Sequence, residues 1–114
     1  MDHFAIITEA KAQAYAAGKA YLDKHYGGQD AGACGFAWVN VYPKHKGNTK
    51  EGREERRILR EMGFSLDWTG KGFELWNPSG LHCQNVDAKY QGAAAAAECL
   101  RAHGFKAYAG SRLD

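Results

Sequence analysis

Two stretches of this chain carry side chains whose type and spacing suggest chemistry. The first is Cys34-Gly-Phe-Ala-Trp-Val-Asn-Val-Tyr42. Side chains alternate along a strand, so Ala37, Val39 and Val41 would share one face, and Phe36, Trp38, Asn40 and Tyr42 the other. An open antiparallel sheet bearing aromatics is how RNA-recognition modules stack bases, at about 1–3 kcal/mol per base. Trp76 and Tyr108 would join that face in the right register. The plainer reading is a core covered by another helix, or a dimer interface. No Lys/Arg-Gly-Phe pattern of the RNA-recognition type occurs.

The second stretch is basic. Lys44 to Glu61 holds seven Lys/Arg and four Glu, an excess of three where the whole chain has +2. On a helix, Arg53, Arg56, Arg57 and Arg60 fall along one side, with Lys46 just before it. Such guanidinium groups suit phosphates or a carboxylate-rich partner. The plainer reading, preferred here, is a solvated face neutralised by Glu54, Glu61 and their neighbours. The stripe would also point away from the aromatic face if helices cover one side of the sheet.

Other candidates are weaker. Cys99 and His103 lie four apart on one predicted helix, and His82 and Cys83 just before it would complete a metal set. The spacing matches no common zinc pattern. Cys99 is expected to pack as a small apolar residue, and His103 to sit as a cation at a helix C-terminus. No cofactor and no metal is expected. No spacing sets a base beside a thiol, no acid pair for sugar hydrolysis is discernible, and no phosphate-binding glycine loop is present. Thr69-Gly-Lys-Gly72 reads as a hairpin turn. A polar cluster is possible where Asn77, Ser79, Ser111, Arg112 and Asp114 follow two strands that end together. Gln84, Asp87 and Lys89 would lie near them at a helix start, where anions are favoured. The plainer reading is capping and an Arg112–Asp87 pair.

The elements that must position these residues are legible from periodicity. A helix is expected over about Ile6 to His25, with Ile7, Ala10, Ala14, Ala17 and Tyr21 inward. The aromatic strand follows, closed by Pro43. A helix over Lys50 to Met62 comes next, with Ile58, Leu59 and Met62 inward. Phe64–Trp68 and Gly72–Trp76 read as a hairpin. A helix then starts at Asn85 or Val86 and runs to His103, with Val86, Tyr90, Ala93, Ala97 and Leu100 inward. Phe105–Ala109 is the last strand. After the first helix this is the split βαβ order, a ferredoxin-like α+β fold with an extra N-terminal helix and the first and third strands in the middle. The first helix would pack either in the helix layer or across the open sheet face.

Composition sets the outer bounds. A chain of 114 residues, 45% apolar and 25% charged, suits one globular domain spanning 1–114. Three cysteines read as reduced thiols in a cytoplasmic protein. No run of apolar residues is long enough for a membrane span, and Met1-Asp2-His3 lacks a secretory n-region.

Cys34–Val39, Trp76-Asn-Pro-Ser-Gly80 and the terminal Ser111-Arg-Leu-Asp114 resemble segments of a family of small uncharacterised bacteriophage proteins. The resemblance covers most of the chain from Cys34 onward and implies a phage origin and a host-cytoplasm setting. It transfers no catalytic residue. The basic segment Lys44–Arg60 is longer than in that group.

Together these residues suggest a small non-enzymatic binding protein for nucleic acid or a nucleotide. Phe36, Trp38, Tyr42 and Trp76 would stack, and Lys46, Arg53, Arg56, Arg57 and Arg60 would hold phosphates. The alternative is a factor that inhibits a host defence or polymerase component, using the aromatic face as its protein interface. That face could also form a homodimer. An enzyme built on Asn77, Ser111 and Asp114 ranks last.

Overall fold

The computed structural model describes residues 2–114. It is an α+β structure with three helices and one four-stranded antiparallel sheet. The elements are α1 (His3–Tyr26), β1 (Gly35–Val41), α2 (Lys50–Glu61), β2 (Ser65–Leu66), β3 (Phe73–Trp76), α3 (Val86–Ala102) and β4 (Ala107–Leu113). The sheet order is β2-β3-β1-β4, so β1 and β3 are central.

Each helix is closed by local chemistry. Asp2 accepts from the Ala5 N–H at 2.8 Å to start α1, and Gly27, at φ 61°, ends it with its N–H on the Leu22 carbonyl. Thr49 Oγ1 caps α2 through the Gly52 N–H at 3.0 Å. Only glycine fits at position 52. A Cβ on it would sit 1.8 Å from the Lys46 carbonyl oxygen. Asn85, fully buried, caps α3 through the Ala88 N–H at 2.8 Å.

α1 lies against α3 in the helix layer, antiparallel to it. Small residues permit the close approach. A Cβ on Gly92 would meet the Ala14 carbonyl at 2.9 Å, and one on Gly18 the Ala88 carbonyl at 3.0 Å. The inward face of α1 is Ile6, Ile7, Ala10, Ala14, Gly18 and Leu22, so Gly18 and Leu22 stand where Ala17 and Tyr21 were expected. On α3, Tyr90 is exposed and Lys89 is buried instead. The Lys89 ammonium is satisfied by the Gly35 carbonyl at 3.0 Å, which explains the exchange.

The core lies between the helices and one sheet face. It contains Ala37, Val39 and Val41 of β1, Phe73 of β3, Leu59 and Met62 of α2, and Ala93, Ala96, Ala97 and Leu100 of α3. α2 is therefore on the same side of the sheet as α1 and α3.

The strand boundaries differ from expectation at both ends of the sheet. β2 keeps two residues, so Trp68 falls in the turn. β4 runs on through Gly110, Ser111 and Arg112 to Leu113, pairing with β1 from Val41↔Ala107 to Gly35↔Leu113. Ser111 and Arg112 are thus strand residues, not part of a loop after the strand. The partner strand supplies the hydrogen bonds that a Gly-Ser-Arg sequence would not seek by propensity.

Candidate binding face on the open side of the sheet

Residues of β1 that point away from the core share one face with alternate residues of β3 and β4. The register sets Trp38 opposite Trp76 on one side and Gly110 on the other. Phe36 lies opposite Arg112, and Asn40 lies between Glu74 and Tyr108. Among the described residues no element covers this face; Phe36, Trp76 and Tyr108 are all exposed.

Trp38 is the floor. Its indole lies on Gly110, where a Cβ would be 2.7 Å from the ring. Its Nε1–H donates to Asn40 Oδ1 at 2.8 Å, which fixes the ring's direction. Trp76 leans on Trp38, with ring centroids 4.9 Å apart and planes at 38°. Phe36 meets Trp76 edge-on at 6.1 Å. Tyr42 and Tyr108 pair at 6.0 Å further along. The Arg112 guanidinium lies 5.5 Å from the Phe36 ring centre and 5.9 Å from that of Trp76. Arg112 forms no ion pair among the described residues.

Trp68 is the residue that sequence reasoning missed. It is 94% exposed on the hairpin turn and borders a cavity of about 350 Å³ with Trp38, Tyr42, Trp76, Glu74 and Arg112. All three tryptophans of the chain therefore line one concavity. The turn that presents Trp68 is rigidly built. Asp67 Oδ1 accepts from the Thr69 N–H at 3.0 Å and the Thr69 hydroxyl at 2.6 Å. The Thr69 hydroxyl hydrogen bond, against the opposing effect of burial, holds the Asp67 carboxyl below its usual range. The signal was available: a tryptophan directly before Thr-Gly-Lys-Gly has no partner strand to cover it.

The arginines of α2 lie on the other side of the sheet and are engaged locally. Arg57 pairs with Glu54 and Glu61. Arg56 donates to the His45 carbonyl at 3.1 Å and the Gly52 carbonyl at 2.8 Å. Arg53 donates to the Asn48 carbonyl at 3.1 Å, and Arg60 lies 5.2 Å over the Phe73 ring. Glu55 ties the preceding loop to the helix by accepting from the backbone N–H groups of Lys44 and His45, both at 2.8 Å. That fixes the stem of the loop carrying Lys46.

The polar residues at the strand ends are brought to one end of the sheet. Asn77 N–H donates to the Ala37 carbonyl at 2.9 Å, and Asp114 N–H to the Cys34 carbonyl at 3.1 Å. Most of their donors are used internally. Asn77 bonds Ser79 and the Leu81 carbonyl, and the Ser79 hydroxyl bonds back into the same turn. The start of α3 has a resident anion: Asp30 accepts from the Gln84 and Asn85 N–H groups at 2.8 and 3.1 Å. The expected Arg112–Asp87 pair does not form, because Arg112 turns to the aromatic face.

No family model matches the chain, and no curated protein and no solved structure matches it. Among the described residues no helix is long and apolar enough to cross a membrane.

Proposed function

We propose that this chain is a small non-enzymatic binding protein that stacks the bases of a single-stranded nucleic acid or a nucleotide on its open sheet face. One observation carries the reading: three tryptophans surround a single concavity, with the exposed guanidinium of Arg112, which forms no ion pair among the described residues, at its rim. Aromatic platforms beside a cation are what base stacking with a phosphate contact requires. Trp76, Phe36 and Trp68 offer ring faces, Trp38 supports Trp76 from below, and Arg112 meets the phosphate. A mononucleotide uses this face alone. A longer strand passing over the β2 edge meets α2, along which Arg60, Arg57, Arg56 and Arg53 add charge, with Lys46 in the loop before the helix. The architecture in this reading is ferredoxin-like, with α1 as an added helix, and the protein is phage-encoded and acts in the host cytoplasm.

The test is oligonucleotide binding by fluorescence anisotropy with Trp68→Ala and Arg112→Glu. Each variant should keep the fold and lose affinity, Trp68→Ala by about 1–3 kcal/mol. Affinity equal to that of the unaltered protein in both variants would remove this face from the reading.

A second reading has its own support. Among the described residues β4 is an edge strand, with β1 as its partner along Ala107–Leu113. A polypeptide adding to that edge would be a host protein or a second copy of this chain. Such binding depends on salt far less steeply than phosphate binding does.

A further inference from the structure

Away from the sheet face, the antiparallel packing of α1 on α3 brings three metal-ligating side chains together. Glu9 of α1, Cys99 of α3 and His103 at the α3 C-cap hold ligand atoms that all lie within 4.8 Å of one another. We propose that Glu9, Cys99 and His103 bind a zinc-class divalent cation that clips α1 to the end of α3.

The geometry is close to what such an ion needs. Zinc bonds of about 2.0–2.3 Å in a tetrahedron put neighbouring donors about 3.5 Å apart. Glu9 Oε2 and His103 Nε2 are already at 3.3 Å. Cys99 and His103 are four residues apart on one helix, so both face the α1 side of it. The pair is placed by backbone packing, because the small residues at Ala10, Ala14 and Gly92 let the helices approach.

The donor set selects the ion. One thiolate, one imidazole and one carboxylate suit Zn²⁺ or Co²⁺, whereas Mg²⁺ and Ca²⁺ prefer oxygens alone. Three protein ligands leave the fourth position to water. Cys99 is buried beside an acid, and burial, then Glu9, push its thiol up. The metal supplies the positive charge that a thiolate there otherwise lacks, and the thiol proton leaves to solvent on binding.

Chelator-treated full-length protein is titrated with Co²⁺ and followed by the near-ultraviolet thiolate-to-cobalt absorption band. The expected result is one saturating equivalent, displaced by Zn²⁺, with a higher Tm in the presence of Zn²⁺. Cys99→Ser should abolish the band, and Cys83→Ser should leave it intact. His103→Gln lies at an exposed position and serves where Cys99→Ser does not fold; it should weaken Co²⁺ affinity at least tenfold. A folded protein with no band would overturn the proposal, as would a band that survives in Cys99→Ser or an affinity unchanged in His103→Gln.

Discussion

Trp38 and Trp68 are the same residue type, yet their surroundings predict opposite results on truncation. Trp38 lies on Gly110 with its N–H on Asn40 and its ring against Trp76. Trp38→Ala should cost about 2–3 kcal/mol in a denaturant titration, somewhat below a fully buried ring. Trp68 is 94% exposed. Trp68→Ala should change stability by less than about 0.5 kcal/mol. Equal costs for the two would contradict the placement of both. The role of Trp38 was partly legible, because alternation in Phe36-Ala-Trp-Val-Asn-Val set its face. What alternation cannot give is Gly110, 72 positions later in the sequence numbering, lying beneath the ring. Arg112 was misjudged for the same reason: its partners, Phe36 and Trp76, come from other strands.

At the scale of elements, the helix layer rests on close backbone contact, and a single methyl group tests it. Gly92→Ala would set a Cβ 2.7 Å from that of Ser79 and 2.9 Å from the Ala14 carbonyl. α1 must shift outward, at a cost of about 1–3 kcal/mol by thermal or denaturant unfolding. An unchanged or raised Tm would show that the helices are not so close.

The loop before α2 gives a pH test. Burial works to raise the Glu55 carboxyl, but the Lys44 and His45 N–H groups and the His45 ring outweigh it, and the net shift is downward. A lowered carboxyl contributes stability above its unfolded value, about 4.3, and loses it as the pH falls through the folded value. Glu55→Gln should therefore be less stable than the unaltered protein at neutral pH, with the gap closing on acidification. A gap that stays constant into the acid range contradicts the clasp.

That the chain forms an α+β structure of helices and antiparallel strands was legible because helical and alternating periods are local properties. The boundaries were not. The chain beyond Ala109 reads as a tail of glycine and polar residues, yet β1 presents a full edge that it pairs with. The hairpin shows the reverse: Asp67 and Thr69 bond each other, and the strand ends at Leu66.

Over the whole molecule, the structure has two unlike sides. Among the described residues, helices cover one sheet face and leave the other bare, with its aromatics gathered around one concavity. The net charge of +2 gives little general attraction for polyanions, so binding must come from local contacts. Legibility ended at this scale. The chain order implied a bare face, but whether α1 would cover it depended on packing between Ala14, Gly18 and Gly92, residues too small to leave a strong periodic signal.

The central claim is that this bare face stacks bases, and the most direct test uses the tryptophans themselves. Their fluorescence is titrated with short single-stranded DNA and RNA and with nucleoside monophosphates, at low and at physiological salt. Saturable quenching is predicted, weakened in Trp76→Ala, with oligonucleotide affinity falling as salt rises. Fluorescence unchanged by every nucleic acid and nucleotide at low salt would contradict the account and leave the face to a polypeptide.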